Sequence, residues 1–74
     1  MHDRTSELGH AVRARRERLG LRQEELAELA RCSTRFVHTL ETGKPTVRLD
    51  KVLAVLDALG LELYVGPKSI GSDR

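Results

Sequence analysis

One stretch, Arg22 to Gly43, RQEELAELARCSTRFVHTLETG, sets the limits on how this chain folds. Its apolar residues fall into two groups of helical spacing with a break between them. Leu26, Ala27, Leu29 and Ala30 give Gln23 to Ala30 an apolar face. Glu24 and Glu25 stand in its first turn, where the helix dipole favours negative charge. Arg31-Cys32 interrupts the pattern, and Ser33 is a good N-cap for a second helix over Thr34 to Thr42. There Val37 and Leu40, with Phe36 beside them, form the apolar anchor, and Gly43 closes the helix in a left-handed conformation. Thr34, Arg35, His38 and Thr39 are left on the outer face. The second helix thus has an apolar back and a hydrogen-bonding front. Periodicity alone fits an ordinary helical hairpin with a solvated face equally well.

The residue types at fixed positions carry more. Gln23, Glu25, Leu26, Ala27, Ser33, Val37, Leu40, Glu41 and Gly43, with Val12, Arg16, Gly20 and Leu21 upstream, resemble the phage-repressor-like (Xre/Cro) helix-turn-helix family. The resemblance covers most of the chain. It implies a mainly α fold, a four-helix lambda-repressor-like domain, whose second motif helix reads the major groove of double-stranded DNA. Among the reading residues, Arg35 is the best match to a guanine, because its fork fits O6 and N7. Thr34, His38 and Thr39 suit single hydrogen bonds, methyl contacts or water. Gln23 and Ser33 are expected on phosphates, with Arg22 and Lys44 adding charge. For Lys44 a solvated loop lysine is an equal reading. The family also pairs the residues at Arg16 and Glu41, so Arg16 is read as structural.

Two positions depart from the family. Arg22 replaces the usual Ser or Thr cap, which forfeits about 1 kcal/mol. Arg31 replaces the usual turn Gly, at a cost of roughly 1–2 kcal/mol if the backbone there is left-handed.

The rest of the sequence is consistent with one small domain near the lower size limit for a self-sufficient core. Hydrophobic residues make up 39%, with one Phe, one Tyr and no Trp, so the core must be aliphatic. Residues 1–48 hold 10 basic and 7 acidic side chains, and residues 49–74 hold 3 and 4, so the basic excess lies with the motif. One cysteine excludes an internal disulfide and fits a reducing cytoplasm. No apolar run reaches the length of a membrane span or signal sequence. No metal or cofactor is expected: His2, His10, His38 and Cys32 lack ligand spacing, and Cys32 suits a small buried position.

Met1 to Arg4 is expected to fray. Thr5 or Ser6 can cap a first helix running to about Leu19, with Leu8, Ala11, Val12 and Leu19 inward. Arg13, Arg15, Arg16 and Arg18, with Glu17, make a dense basic segment, in which Arg13 and Arg18 read as a solvated face. Its apolar side is too small for a membrane-surface helix. Pro45 excludes helix through Lys44-Pro45-Thr46. Val47 to Leu59 predicts a fourth helix whose apolar arc, Leu49, Val52, Leu53, Val55, Leu56 and Leu59, is wide enough for a second packing surface.

After Gly60, Leu61-Glu62-Leu63-Tyr64-Val65 alternates strictly and reads as a strand. A lone strand leaves backbone groups unpaired, so its simplest partner is the same segment of a second molecule. The expected organisation is a helix-turn-helix domain over 1–60, a dimerising strand over 61–66 whose ribbon uses Leu61, Leu63, Tyr64 and Val65, and a flexible tail over 67–74. A fourth helix followed by L-G-L-E-L-Y-V, together with G-K-P-T, resembles the HipB-type antitoxins. That resemblance implies a dimeric repressor that autoregulates its operon and neutralises a HipA-type serine/threonine kinase toxin. A stand-alone regulator without a toxin is the alternative. An enzyme is not expected: there is no phosphate-cradling glycine loop, no carboxylate pair on a plausible cleft and no nucleophile–base constellation.

Overall fold

The computed structural model describes residues 4–68. Four helices follow one another: α1 (Arg4–Arg18), α2 (Gln23–Ala30), α3 (Thr34–Glu41) and α4 (Leu49–Ala58). The core is aliphatic. Val12 of α1, Leu26, Ala27 and Ala30 of α2, Val37 and Leu40 of α3, and Val52, Val55, Leu56 and Leu59 at α4 are all buried. α3 packs against α1 and α2, and α4 closes on α2. Among the described residues, no buried side-chain nitrogen or oxygen lacks a hydrogen-bond partner, as expected of a core this small.

Both helices of the motif begin and end where local signals place them. The exception is the last residue of α3: Thr42 is its C-cap rather than its final turn. Gly43 follows at φ 84°. A β-carbon there would lie 2.8 Å from the Ser6 hydroxyl oxygen and 2.9 Å from its Cα, so Gly43 also lets α1 approach. The same approach explains Gly9, buried in mid-helix. A β-carbon on it would stand 2.5 Å from the Leu40 carbonyl oxygen and 2.8 Å from that of Glu41. Sequence reading gave Gly9 no role; a glycine interrupting a helical pattern is the signal that marks such a contact.

Several expectations for inward-facing residues need correction. α1 already includes Arg4, so Thr5 and Ser6 lie within its first turn rather than capping it. Ala11 is exposed and Leu19 is 46% exposed. Leu29 is 61% exposed, because α3 and α4 cover the other side of α2. α4 starts at Leu49 rather than Val47 and ends at Ala58, with Leu59 as its C-cap. Leu49 and Leu53, one turn apart, are uncovered in the single chain.

Gly60, at φ 72°, turns the chain out of α4, and the Leu61 amide donates to the Leu56 carbonyl at 2.8 Å. Leu61 packs against the core. Beyond it, residues 62–68 are exposed and form neither helix nor strand, and no strand occurs among the described residues. Of Met1 to Arg4, expected to fray, Arg4 already belongs to α1, and 1–3 lie outside the described residues. Of the tail expected over 67–74, 67–68 are exposed and irregular, and 69–74 lie outside the described residues.

Candidate nucleic-acid interface

The presentation of α3 follows from its two ends and its back. Arg31 takes the left-handed conformation, φ 58° and ψ 46°. Its neighbour Cys32 donates its amide to the Ala27 carbonyl at 2.9 Å, completing the cap of α2. Partial burial pushes the Cys32 thiol pKa up. The Ser33 hydroxyl then accepts the Phe36 amide at 3.0 Å. Val37 and Leu40 are buried and Phe36 is half-buried, which anchors the back of α3. Thr34, Arg35 and His38 are exposed on its front, and Thr39 is half-buried.

The start of α2 shows how the missing cap is offset. A guanidinium has no acceptor, so Arg22 cannot take an amide proton from the helix. Its own amide instead donates to Glu25 Oε1 at 2.7 Å, the reciprocal half of a capping box. That hydrogen bond leads the causes holding the Glu25 carboxyl below its ordinary pKa.

Gln23 is positioned from below. Its Nε2 donates to Glu41 Oε1 at 3.0 Å. Glu41 is in turn gripped by Arg16, whose Nε donates to Oε2 at 2.6 Å and Nη2 to Oε1 at 3.0 Å. The Arg16 Nη1 donates to the Leu21 carbonyl at 2.8 Å. Burial alone raises the Glu41 pKa; the hydrogen bonds from Arg16 and Gln23 with the Arg16 charge outweigh it, so the carboxyl stays below its ordinary range. The hydrogen bond to Glu41 likewise raises the Arg16 pKa. One network therefore joins α1, the turn after it, the first residue of α2 and the last of α3.

The polar residues divide among three open clefts. Ser33, Arg35 and Thr39 share one with Arg48 and Lys51. Arg22, Ser33 and Thr34 line a second, between the starts of α2 and α3. Gln23 and His38 line a third with α1. Lys44 is exposed and lines none of them. Arg48 and Lys51 were not singled out from the sequence. Their signal is basic charge just before and within the first turn of the helix that follows the motif. The Lys51 ammonium sits 5.9 Å from the centre of the Phe36 ring, a spacing at which cation and ring attract. Arg48 grips Asp50 with Nε at 3.2 Å and Nη2 at 2.7 Å. The Arg15 Nε donates to the Leu59 carbonyl at 2.9 Å, satisfying the C-terminus of α4. Of the residues expected in a ribbon, Leu61 is half-buried, and Leu63, Tyr64 and Val65 are 48%, 84% and 95% exposed.

The model of a family described as a helix-turn-helix domain matches residues 7–63, a span that includes α2, α3, α4 and most of α1. The chain belongs to that helix-turn-helix family. It is also similar to a protein of Sinorhizobium fredii named an uncharacterized HTH-type transcriptional regulator, y4mF. The two are 45% identical over 60 residues, which cover 81% of this chain and 79% of the relative. In this helix-turn-helix domain α2 and α3 are the two motif helices, and α1 and α4 are the elements that hold them. No helix among the described residues is long and apolar enough to cross a membrane. Nor do the described residues bring three or more His, Cys, Asp or Glu side chains together as a metal site.

Proposed function

We propose that the chain is a sequence-specific DNA-binding transcriptional repressor that inserts α3 into the major groove. The observation that carries this is α3 itself. It is anchored from behind by Val37 and Leu40 and offers Thr34, Arg35, His38 and part of Thr39 in front. Arg35 is the guanine reader, and Thr34, His38 and Thr39 read by smaller contacts. Gln23 and Ser33 position the protein on phosphates, with Arg22 and Lys44 adding charge. Membership of the helix-turn-helix family and the regulator name of the Sinorhizobium relative support this reading.

The repressor acts as a homodimer joined by an antiparallel ribbon of Leu61 to Val65. The strict alternation of that segment and the exposure of Leu63, Tyr64 and Val65 support this. Leu49 and Leu53 add uncovered apolar area. Two recognition helices then require an inverted repeat with half-site centres about 34–36 Å apart, one helical turn. Selection of bound duplexes from a random pool tests this. A palindromic consensus with that spacing is expected; recovery of unrelated sequences overturns it.

The resemblance to HipB-type antitoxins extends the reading to a toxin–antitoxin pair, in which the chain also binds and inhibits a HipA-type serine/threonine kinase. A kinase gene of that type beside this one, whose product the chain inhibits in a phosphorylation assay, is the expected result. Absence of such a gene leaves the stand-alone regulator.

A further inference from the structure

In the basic segment of α1, Arg16 holds Glu41 and Arg13 pairs with Glu17 at 3.1 Å. Arg15 leaves the helix towards α4 instead. Its Nε reaches the Leu59 carbonyl at 2.9 Å, 44 positions away and partly buried. Its Nη2 lies beside Gly60, 3.5 Å from where a β-carbon would stand. A cation at that end of α4 also matches the helix dipole. Leu59 to Leu61 is the turn by which the chain leaves α4. The Gly60 amide donates to the Asp57 carbonyl at 3.0 Å and the Leu61 amide to the Leu56 carbonyl at 2.8 Å. With Gly60 at φ 72°, this is the Schellman pattern of a helix end. Those two bonds fix the turn relative to α4 alone, and α4 packs on α2. The Arg15 bond refers the same turn to α1. Leu61 packs on the core, and residues 62–68 beyond it are exposed.

We propose that Arg15 is a positioning residue for the dimer: by tying the end of α4 to α1 it fixes the direction in which residues 61–65 leave the domain, and with it the separation of the two recognition helices. The proposal rests on the dimeric DNA-binding reading and adds what sets its half-site spacing. A small change at the root of this segment is enough to matter. An extended stretch over residues 61–65 spans about 17 Å. A tilt of about 10° where it leaves α4 therefore moves its far end by about 3 Å, close to the rise of one base pair, about 3.4 Å. The two-fold axis applies the same displacement to the partner. Without the Arg15 bond the exit is held only by the turn and by Leu61, and the dimer tolerates more than one spacing.

Fluorescence anisotropy with the full chain tests this on the selected inverted repeat, on the same repeat with one base pair added to or removed from its centre, and on a single half-site. The wild type is expected to favour the selected spacing. Arg15→Met, which has no donor, is expected to lower that preference about tenfold, the factor a hydrogen bond from a charged group is typically worth. Half-site affinity should stay unchanged, and sedimentation should still show dimers. Arg15→Gln is expected to restore the preference, because its Nε2 stands as many bonds from Cα as the arginine Nε and also donates. Lost stability alone would weaken all the repeats alike. An Arg15→Met dimer that keeps the wild-type preference overturns this inference alone. So does a loss of half-site affinity shared by Arg15→Met and Arg15→Gln, which assigns Arg15 to the DNA through its charge. A wild type that binds all three spacings equally has no fixed exit, and an Arg15→Met chain that circular dichroism shows unfolded makes the bond a requirement of the fold; either result overturns it. A wild type that is monomeric at micromolar concentration, or that selects no inverted repeat, overturns the dimeric reading together with this one.

Discussion

Arg16 and Glu41 stand 25 positions apart and meet through two hydrogen bonds, at 2.6 and 3.0 Å. Their side chains are only 11% and 4% exposed. Removing one partner strands a largely buried charge, which typically costs about 3–5 kcal/mol. Arg16→Met and Glu41→Leu are each expected to fall in that range in urea unfolding, and the double variant to cost less than their sum. A double-mutant cycle with no coupling contradicts the tie. The pair also sets a pH dependence. The Glu41 pKa is depressed on folding, so its contribution is complete above the ordinary glutamate range and is lost as pH falls through the folded value. Glu41→Gln should flatten the acid side of a stability–pH profile.

Gly9→Ala sets two effects against each other. In an exposed helix, alanine is favoured over glycine by about 1 kcal/mol. Here the new β-carbon meets the Leu40 carbonyl at 2.5 Å, a backbone atom that cannot rotate away. Overpacking of this kind costs about 1–3 kcal/mol. Net destabilisation is expected in urea unfolding, and a stabilised variant contradicts the close approach of α1 to α3.

Arg31→Gly is expected to act in the opposite direction. Arg31 is exposed and sits at φ 58°, where a side chain costs roughly 1–2 kcal/mol. Part of that gain is offset by the larger unfolded-state entropy of glycine. A net gain near 1 kcal/mol raises the melting temperature of a domain this size by about 4–8 °C. A fall in melting temperature on calorimetry shows instead that the Arg31 side chain contributes more than the strain removes.

Arg35 and Lys44 separate reading from anchoring. Arg35→Ala is expected to cost roughly 1–3 kcal/mol on the preferred site and to relax preference at one base position. Lys44→Ala should weaken all duplexes alike and reduce the salt slope by about one. If the Arg35 variant keeps its base preference and behaves like the lysine variant, Arg35 is a phosphate contact. Specificity then belongs to Thr34, His38, Thr39 or DNA shape.

Leu63→Asp tests the ribbon. In a dimer it places a charge on the buried face, and sedimentation at micromolar concentration is expected to report monomers. A dimer that persists assigns the interface elsewhere, with the uncovered Leu49 and Leu53 of α4 as the next segment to probe.

The sequence by itself determined the helices of the motif, the aliphatic character of the core and the division of α3 into an apolar back and a polar front. Those features are local: apolar spacing defines a face, Ser33 starts a helix, and Gly20, Gly43 and Gly60 end helices by taking positive φ. Family resemblance, not spacing, led from Arg16 to Glu41, because nothing local links residues that far apart. Only the tertiary structure decided which part of each apolar face is covered. Leu29 fits the same helical pattern as Leu26, yet Leu26 is buried and Leu29 exposed, because neighbouring helices cover one side of α2. Likewise Arg15 and Arg13 belong to one arginine run, but α4 brings the Leu59 carbonyl to Arg15 while Arg13 faces the cleft shared with α3. Spacing specifies the direction in which a side chain leaves its helix; what it meets there depends on where the other helices pack.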